Sequence, residues 1–236
     1  NHKVQIQLEA GFCRTTTQLY QDTVAQQRAK SQGILQGALP YIDETHANFL
    51  RCHLSTNATA PGSFRVTAKV HKTPVGTRPI CNLRKAWITP GAMVLVDILN
   101  GITKRYYSIV ESADHLLEKL PTQVGQGMVL FTADIRNLYP SIDRQHLLAT
   151  VAPLVREFLQ EPGLSIFTLN LLELCLDGAF VSFEDQLWYC NSGIPTGANY
   201  CVIIANLYLT ALDRFAKQQF HVLGYALAAY FRLIDD

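Results

Sequence analysis

"GMVLFTADIRNLYP", residues 127–140, decides how the rest of the chain is read. An apolar run of strand length, Met128 to Phe131, leads to a carboxylate at Asp134. Short uninterrupted apolar runs are the mark of a strand covered on both faces. The reading therefore predicts a buried strand over 127–135. An Asp at a strand end is, taken alone, a cap or turn residue. Its alternative role is as an oxygen ligand for a hard cation.

The same pattern closes the chain. "YALAAYFRLIDD", residues 225–236, predicts a second strand that ends on two adjacent carboxylates, Asp235 and Asp236. If the two strands are neighbours, Asp134, Asp235 and Asp236 converge at one edge of a sheet. Carboxylates gathered without a balancing Arg or Lys favour a hard divalent cation, and Mg2+ fits. Two such ions roughly 3.5–4 Å apart hold the attacking and leaving oxygens of a phosphoryl transfer.

Upstream, "FRVTAKVHK" (64–72) alternates Phe64, Val66, Ala68 and Val70 with Arg65, Thr67, Lys69 and His71. A period of two predicts a strand with one basic face. "TPVG" reads as a turn and "TRPICNL" as the returning strand, a hairpin with Lys69, Lys72 and Arg78 around its tip. From Thr45 to Val96 there is no Asp or Glu, while Arg51, Arg65, Lys69, Lys72, Arg78, Arg84 and Lys85 all fall there. Such a surplus fits a phosphate-facing surface, or a solvated loop whose counter-charges lie elsewhere in the fold.

Elsewhere the pattern is helical. Helices are predicted over 15–35, from an Asp43 cap over 43–54, over 92–102 after a Pro90-Gly91 break, and over 113–120 behind a Ser112 cap. Others are predicted over 143–160, with Pro153 inside and Asp143 as cap, and over 164–178, ending at Gly178. "AFVSF" and "LWYC" read as a hairpin, and "SGIPTG" (192–197) as a glycine-punctuated loop opening onto a helix from about Asn199 to Phe220. The first sixty residues read as helices joined by short breaks. Strands and helices alternate irregularly, with no repeated βαβ unit, which predicts an α+β fold.

Hydrophobic residues are 48% of the 236 and charged residues 17%, enough for a real core and against disorder. A net charge of +1 means that bulk electrostatics do not mark a nucleic-acid binder. No G-x-G-x-x-G and no P-loop is present. The six cysteines include no Cys-x-x-Cys pair, which argues for buried thiols in a reducing compartment and against structural zinc. "YCVIIANLYLTAL" (200–212) is too short for a membrane span and contains Asn206, so no membrane partner is expected. The chain opens on Asn and closes on Asp235-Asp236, and the expectation is a fragment of something longer.

Four blocks now stand in order: "KVHKTPVGTRPI", "TADIRNLYPSI", "GIPTGANYCVIIANLYLTALD" and "YFRLIDD". In this the chain resembles the reverse transcriptases, most closely their Penelope-like branch, with telomerase reverse transcriptase as a relative. The resemblance runs from about Phe64 to Asp236. It implies the fingers and palm of a right-hand polymerase. Residues 1–60 would be a helical part of the fingers, 61–125 the fingers with the basic hairpin, and 126–236 a palm cut at its Asp-Asp hairpin, with no thumb.

The resemblance also implies roles. Asp134, Asp235 and Asp236 would be the catalytic, metal-binding carboxylates, with the Ile135 carbonyl completing a shell around two Mg2+ ions (Mn2+ as a substitute). Tyr139 would be a steric gate against a ribose 2′-hydroxyl. Lys69, Lys72 and Arg78 would reach the incoming triphosphate, where cations offset charge in the transition state. Gly193, Pro195 and Gly197 would form a loop against the template and nascent base pair. Thr196 departs from the Gln of many relatives, and Leu233-Ile234 from the commoner Tyr-x pair.

The implied partners are an RNA template, a DNA primer, deoxynucleotides, and a thumb and returning palm strand from the remainder of the polypeptide or another chain. The implied compartment is the nucleus. The competing expectation is a domesticated palm that binds nucleic acid or protein without synthesis.

Overall fold

A computed structural model of the chain describes residues 9, 11–54, 60–70, 73–123 and 125–234. Helix α1 (Thr17–Ala38) starts where Thr16 turns extended and its hydroxyl accepts from the Leu19 N–H at 3.1 Å. Its buried positions, Tyr20, Val24, Ser31, Leu35 and Ala38, recur at helical spacing along one side. Helix α2 (Glu44–Leu54) is capped by Asp43, whose carboxylate accepts from the His46 N–H at 2.9 Å. Helix α3 (Thr89–Thr103) carries Pro90 inside its first turn. The expected break at Pro90-Gly91 is thus a helix start, because the first-turn N–H groups need no intrahelical partner.

Helix α4 (Ala113–Lys119) follows Ser112, which accepts from the His115 N–H at 3.1 Å. A short α5 (Leu138–Ser141) precedes α6 (Arg144–Leu159), capped by Asp143. Helix α7 (Pro162–Asp177) ends at Gly178, and α8 spans Cys201–Val222.

The sheet has five strands: β1 (Phe12–Thr15), β2 (Gly62–Lys69), β3 (Gly76–Asn82), β4 (Phe180–Phe183) and β5 (Gln186–Cys190). Their order is β1-β5-β4-β2-β3. Every neighbouring pair is antiparallel except β2 with β4, which run parallel through Gly62 opposite Val181 and Ser63 opposite Ser182. The chain is therefore a mixed α+β fold built on a mixed sheet.

Both expected hairpins form. In the β4–β5 turn Glu184 and Asp185 sit at φ 48° and 58°, the left-handed pair that suits a two-residue hairpin. Strand β1 corrects the all-helical expectation for the first sixty residues. Its four residues form a strand because β5 lies beside it, Phe12 opposite Cys190.

One apolar cluster joins these elements. Leu95, Leu99 and Ile102 of α3, Leu171, Leu172 and Cys175 of α7, and Ile204 and Leu207 of α8 are buried against Phe64, Phe180 and Val181 of the sheet. Burying each such side chain contributes about 1.5–3 kcal/mol. Among the described residues no helix is long and apolar enough to cross a membrane.

The two strands that framed the sequence reading do not form. Residues 128–134 have no ladder partner, and Val129 and Leu130 are 87% and 79% exposed. The Phe131 ring lies against the Phe220 ring, centroids 5.5 Å apart. Residues 225–234 make a single parallel bridge, Arg232 to Ile109. An apolar run becomes a strand only when a second strand takes up its N–H and C=O groups; among the described residues, 128–134 meet no such strand, and 225–234 meet segment 108–110 at one rung alone.

Candidate functional site

The best-defined constellation surrounds the loop 192–198. Ile194 N–H donates to the Tyr139 carbonyl at 3.0 Å, and Cys81 N–H donates to the Thr196 carbonyl at 2.7 Å. One loop thus ties α5, which carries Tyr139, to strand β3. From α6, the Arg144 guanidinium donates from Nε to the Gly193 carbonyl at 2.8 Å and from Nη2 to the Cys190 carbonyl at 2.7 Å. From α8, the Cys201 thiol donates to the Pro195 carbonyl at 2.8 Å. Burial pushes that thiol well above its ordinary range, so it remains a neutral donor.

The glycines are required where they stand. Gly193 sits at φ 65°, and a Cβ there would lie 2.6 Å from the Tyr139 carbonyl oxygen and 2.7 Å from Pro140 Cα. Gly197 sits at φ 103°, with the Cys81 carbonyl oxygen 3.0 Å from the place of its missing Cβ. Only glycine combines that backbone with that approach. Gly193 and Pro195 are buried, and Gly197 is exposed.

The other expected residues fall at three places. Tyr139 and Ile135 are half-buried and packed against the main core. Asp134, just before them, is exposed and makes no ion pair among the described residues. Lys69 ends β2 opposite Gly76, and exposed Arg78 lies opposite Thr67 on β3, so both cations ride on the hairpin. Lys72, Asp235 and Asp236 lie outside the described residues. Two of the three expected carboxylates are thus among them. Among the described residues no three His, Cys, Asp or Glu side chains gather as a metal-binding group.

The segment that leads to Asp235 is held by a buried polar network that the sequence reading missed. Arg232 and Asp213 pair through Nε to Oδ1 at 2.8 Å and Nη2 to Oδ2 at 3.0 Å. Arg232 Nη1 donates to Asn206 Oδ1 at 2.8 Å and to the Ile234 carbonyl at 3.0 Å, and Nη2 also donates to the Asn206 carbonyl at 3.0 Å. The Tyr230 hydroxyl donates to Asp213 Oδ1 at 2.9 Å. Its phenol is pushed up to about 12, by burial first and then by this bond to a carboxylate.

A signal for the network existed. Asn206 and Asp213 lie two turns apart on the buried side of α8, and buried polar groups require a partner. Beside Ile234 opens a cavity of about 600 Å³, lined among others by Asn100, Tyr106, His115 and Asn206. No family model and no curated protein matches the chain.

Proposed function

We propose that this chain is the fingers and palm of a reverse transcriptase of the Penelope-like kind, an RNA-directed DNA polymerase that extends a primer with deoxynucleotides. The observation that carries the reading is the backbone tie between Tyr139, the loop 192–198 and Cys81 on β3. Two of the four sequence blocks, and the residue that directly follows a third, far apart in the chain, meet there at one wall.

The chemistry follows from the residues. A primer 3′-hydroxyl loses its proton and attacks the α-phosphorus of a deoxynucleoside triphosphate, and pyrophosphate departs. Lys69 and Arg78 on the basic hairpin, together with Lys72 of the same sequence block, offset the charge that develops on the triphosphate. The Tyr139 ring, seated against the core, leaves no room for a 2′-hydroxyl beneath the sugar. The glycine-dependent loop 193–197, with no Cβ at its two ends, suits close approach by a base pair.

Asp134 is fit to bind a hard cation: an exposed oxygen donor with no Arg or Lys paired to it among the described residues. Asp235, Asp236 and the Ile135 carbonyl would complete the set. Two Mg2+ ions, when bound there, supply charge neutralisation at the attacking and leaving oxygens. RNA template, DNA primer and deoxynucleotides are the partners of this reading, and the nucleus is its compartment.

The test is primer extension on an RNA template with Mg2+, using protein purified with whatever accompanies it. Extension with deoxynucleotides but not ribonucleotides, abolished by Asp134→Asn, is the expected result. Nucleic-acid binding without extension would replace this reading with a non-catalytic palm kept for architecture.

A further inference from the structure

Arg144 is the first residue of α6, where a cation opposes the helix dipole. No carboxylate pairs with it among the described residues. A residue that breaks a local rule without compensation nearby has its gain elsewhere in the fold.

The gain lies in the loop that follows β5. The half-buried guanidinium clasps the turn from Cys190 to Gly193 at both ends, with Nη2 on the Cys190 carbonyl at 2.7 Å and Nε on the Gly193 carbonyl at 2.8 Å. Burial pushes the Tyr189 phenol and the Cys190 thiol up, and the charge of Arg144 works against that push at both. A planar fork fixes two acceptors in one geometry, which a lysine ammonium on its flexible stem does not.

The Gly193 carbonyl and the Ile194 N–H belong to one peptide unit, and in a trans peptide they point in opposite directions. Arg144 holds the oxygen on one side. On the other, the Ile194 N–H donates to the Tyr139 carbonyl at 3.0 Å. The two bonds run in series through the peptide, and a cation on its oxygen makes its N–H a stronger donor. Gly193, at φ 65°, has no Cβ to resist rotation, so the restraint on this peptide has to come from its partners.

Resting on the polymerase reading above, we infer that Arg144 is a positioning residue for the sugar gate. Through the Gly193–Ile194 peptide it sets where Tyr139 sits, and so how strictly deoxynucleotides are preferred. Arg144 itself touches neither sugar nor phosphate.

The test is primer extension on an RNA template, with the protein and its co-purifying partners, read as the ratio of kcat/KM for deoxynucleotides over ribonucleotides. Wild type is compared with Arg144→Met, Arg144→Lys, Tyr139→Ala and the double replacement Arg144→Met with Tyr139→Ala, and thermal midpoints are measured alongside. Arg144→Met is expected to lower the ratio by about threefold or more, since a small misplacement of a positioned group is felt in the transition state. Arg144→Lys, which keeps the charge but not the fork, falls between it and wild type. In the Tyr139→Ala background Arg144→Met changes the ratio no further, because the two residues act as one unit. A merely structural role slows both nucleotide kinds alike and leaves the ratio where it is.

An unchanged ratio in folded Arg144→Met overturns the positioning role, as does an equal fall in both backgrounds. Should Arg144→Met fail to fold, an unchanged ratio in Arg144→Lys overturns it, and failure of both to fold assigns the arginine to the fold alone. A ratio indifferent to Tyr139→Ala removes the gate, and this inference with it, while the polymerase reading stands. Wild type that extends no primer sinks both.

Discussion

Arg232 and Asp213 meet as a two-pronged ion pair, 2.8 Å and 3.0 Å, with each side chain only 4% exposed. A pair this deep is a poor source of net stability but a severe loss when halved, because the remaining charge is left buried and unpaired. Asp213→Ala is expected to destabilise the fold by about 3–5 kcal/mol. Urea unfolding against wild type checks this, and a loss below about 1 kcal/mol would mean that water reaches the guanidinium.

Two glycines separate conformational need from mere tolerance. Gly193→Ala puts a methyl group into the Tyr139 carbonyl at a positive φ, and is expected to destabilise by more than about 1 kcal/mol. Gly33 lies inside α1 with nothing within 4 Å of an added Cβ. Gly33→Ala should stabilise by about 0.5–1 kcal/mol, since glycine is a poor helix former. Thermal midpoints of the two variants should move in opposite directions.

Tyr139 carries the sugar discrimination in the proposed reaction. Tyr139→Ala opens the space under the ribose and is expected to relax the preference for deoxynucleotides by at least about tenfold. The measurement is the ratio of kcat/KM for the two nucleotide kinds on one RNA template. An unchanged ratio would assign the ring to the core alone.

Asp43 gives the α2 cap a pH dependence. The His46 backbone N–H holds its carboxyl below the ordinary range, with a smaller contribution from the His46 imidazole. A carboxyl lowered by folding contributes stability above its unfolded value, about 3.9, and that contribution disappears as pH falls through the lower folded value. The stability difference between wild type and Asp43→Ala should therefore hold from neutral pH to about 5 and shrink below about 4. Denaturation series across that range would show a flat difference if the cap were not ionised.

How much of this was legible follows from where each signal resides. The β2–β3 hairpin was readable because alternation in 64–72 is a local property, and it survives as Phe64 buried beside exposed Arg65. Asp43, Ser112, Asp143 and Gly178 marked helix ends because capping is settled within a few residues. The glycine loop was legible because glycine at close spacing has few other uses. Strand β1 was not, since nothing in four residues foretells β5 lying beside them. The runs 127–135 and 225–234 had the composition of strands, but a ladder requires two members. Arg144 and Arg232 were hidden because their acceptors lie far along the chain, 49 residues away for Gly193 and 19 for Asp213.

The joint between β2 and β4 has a mechanical consequence. Only Gly62 and Ser63 of β2 pair with β4, while the paired residues from Phe64 to Lys69 have β3 as their sole ladder neighbour. The hairpin is a cantilever, clamped at one end and loaded with cations toward the other. A pull on its tip becomes a tilt about the clamp rather than a break in the ladder, so Lys69 and Arg78 travel together. Lengthening the turn at 73–75 would extend the arm and leave the clamp, and the core behind it, untouched.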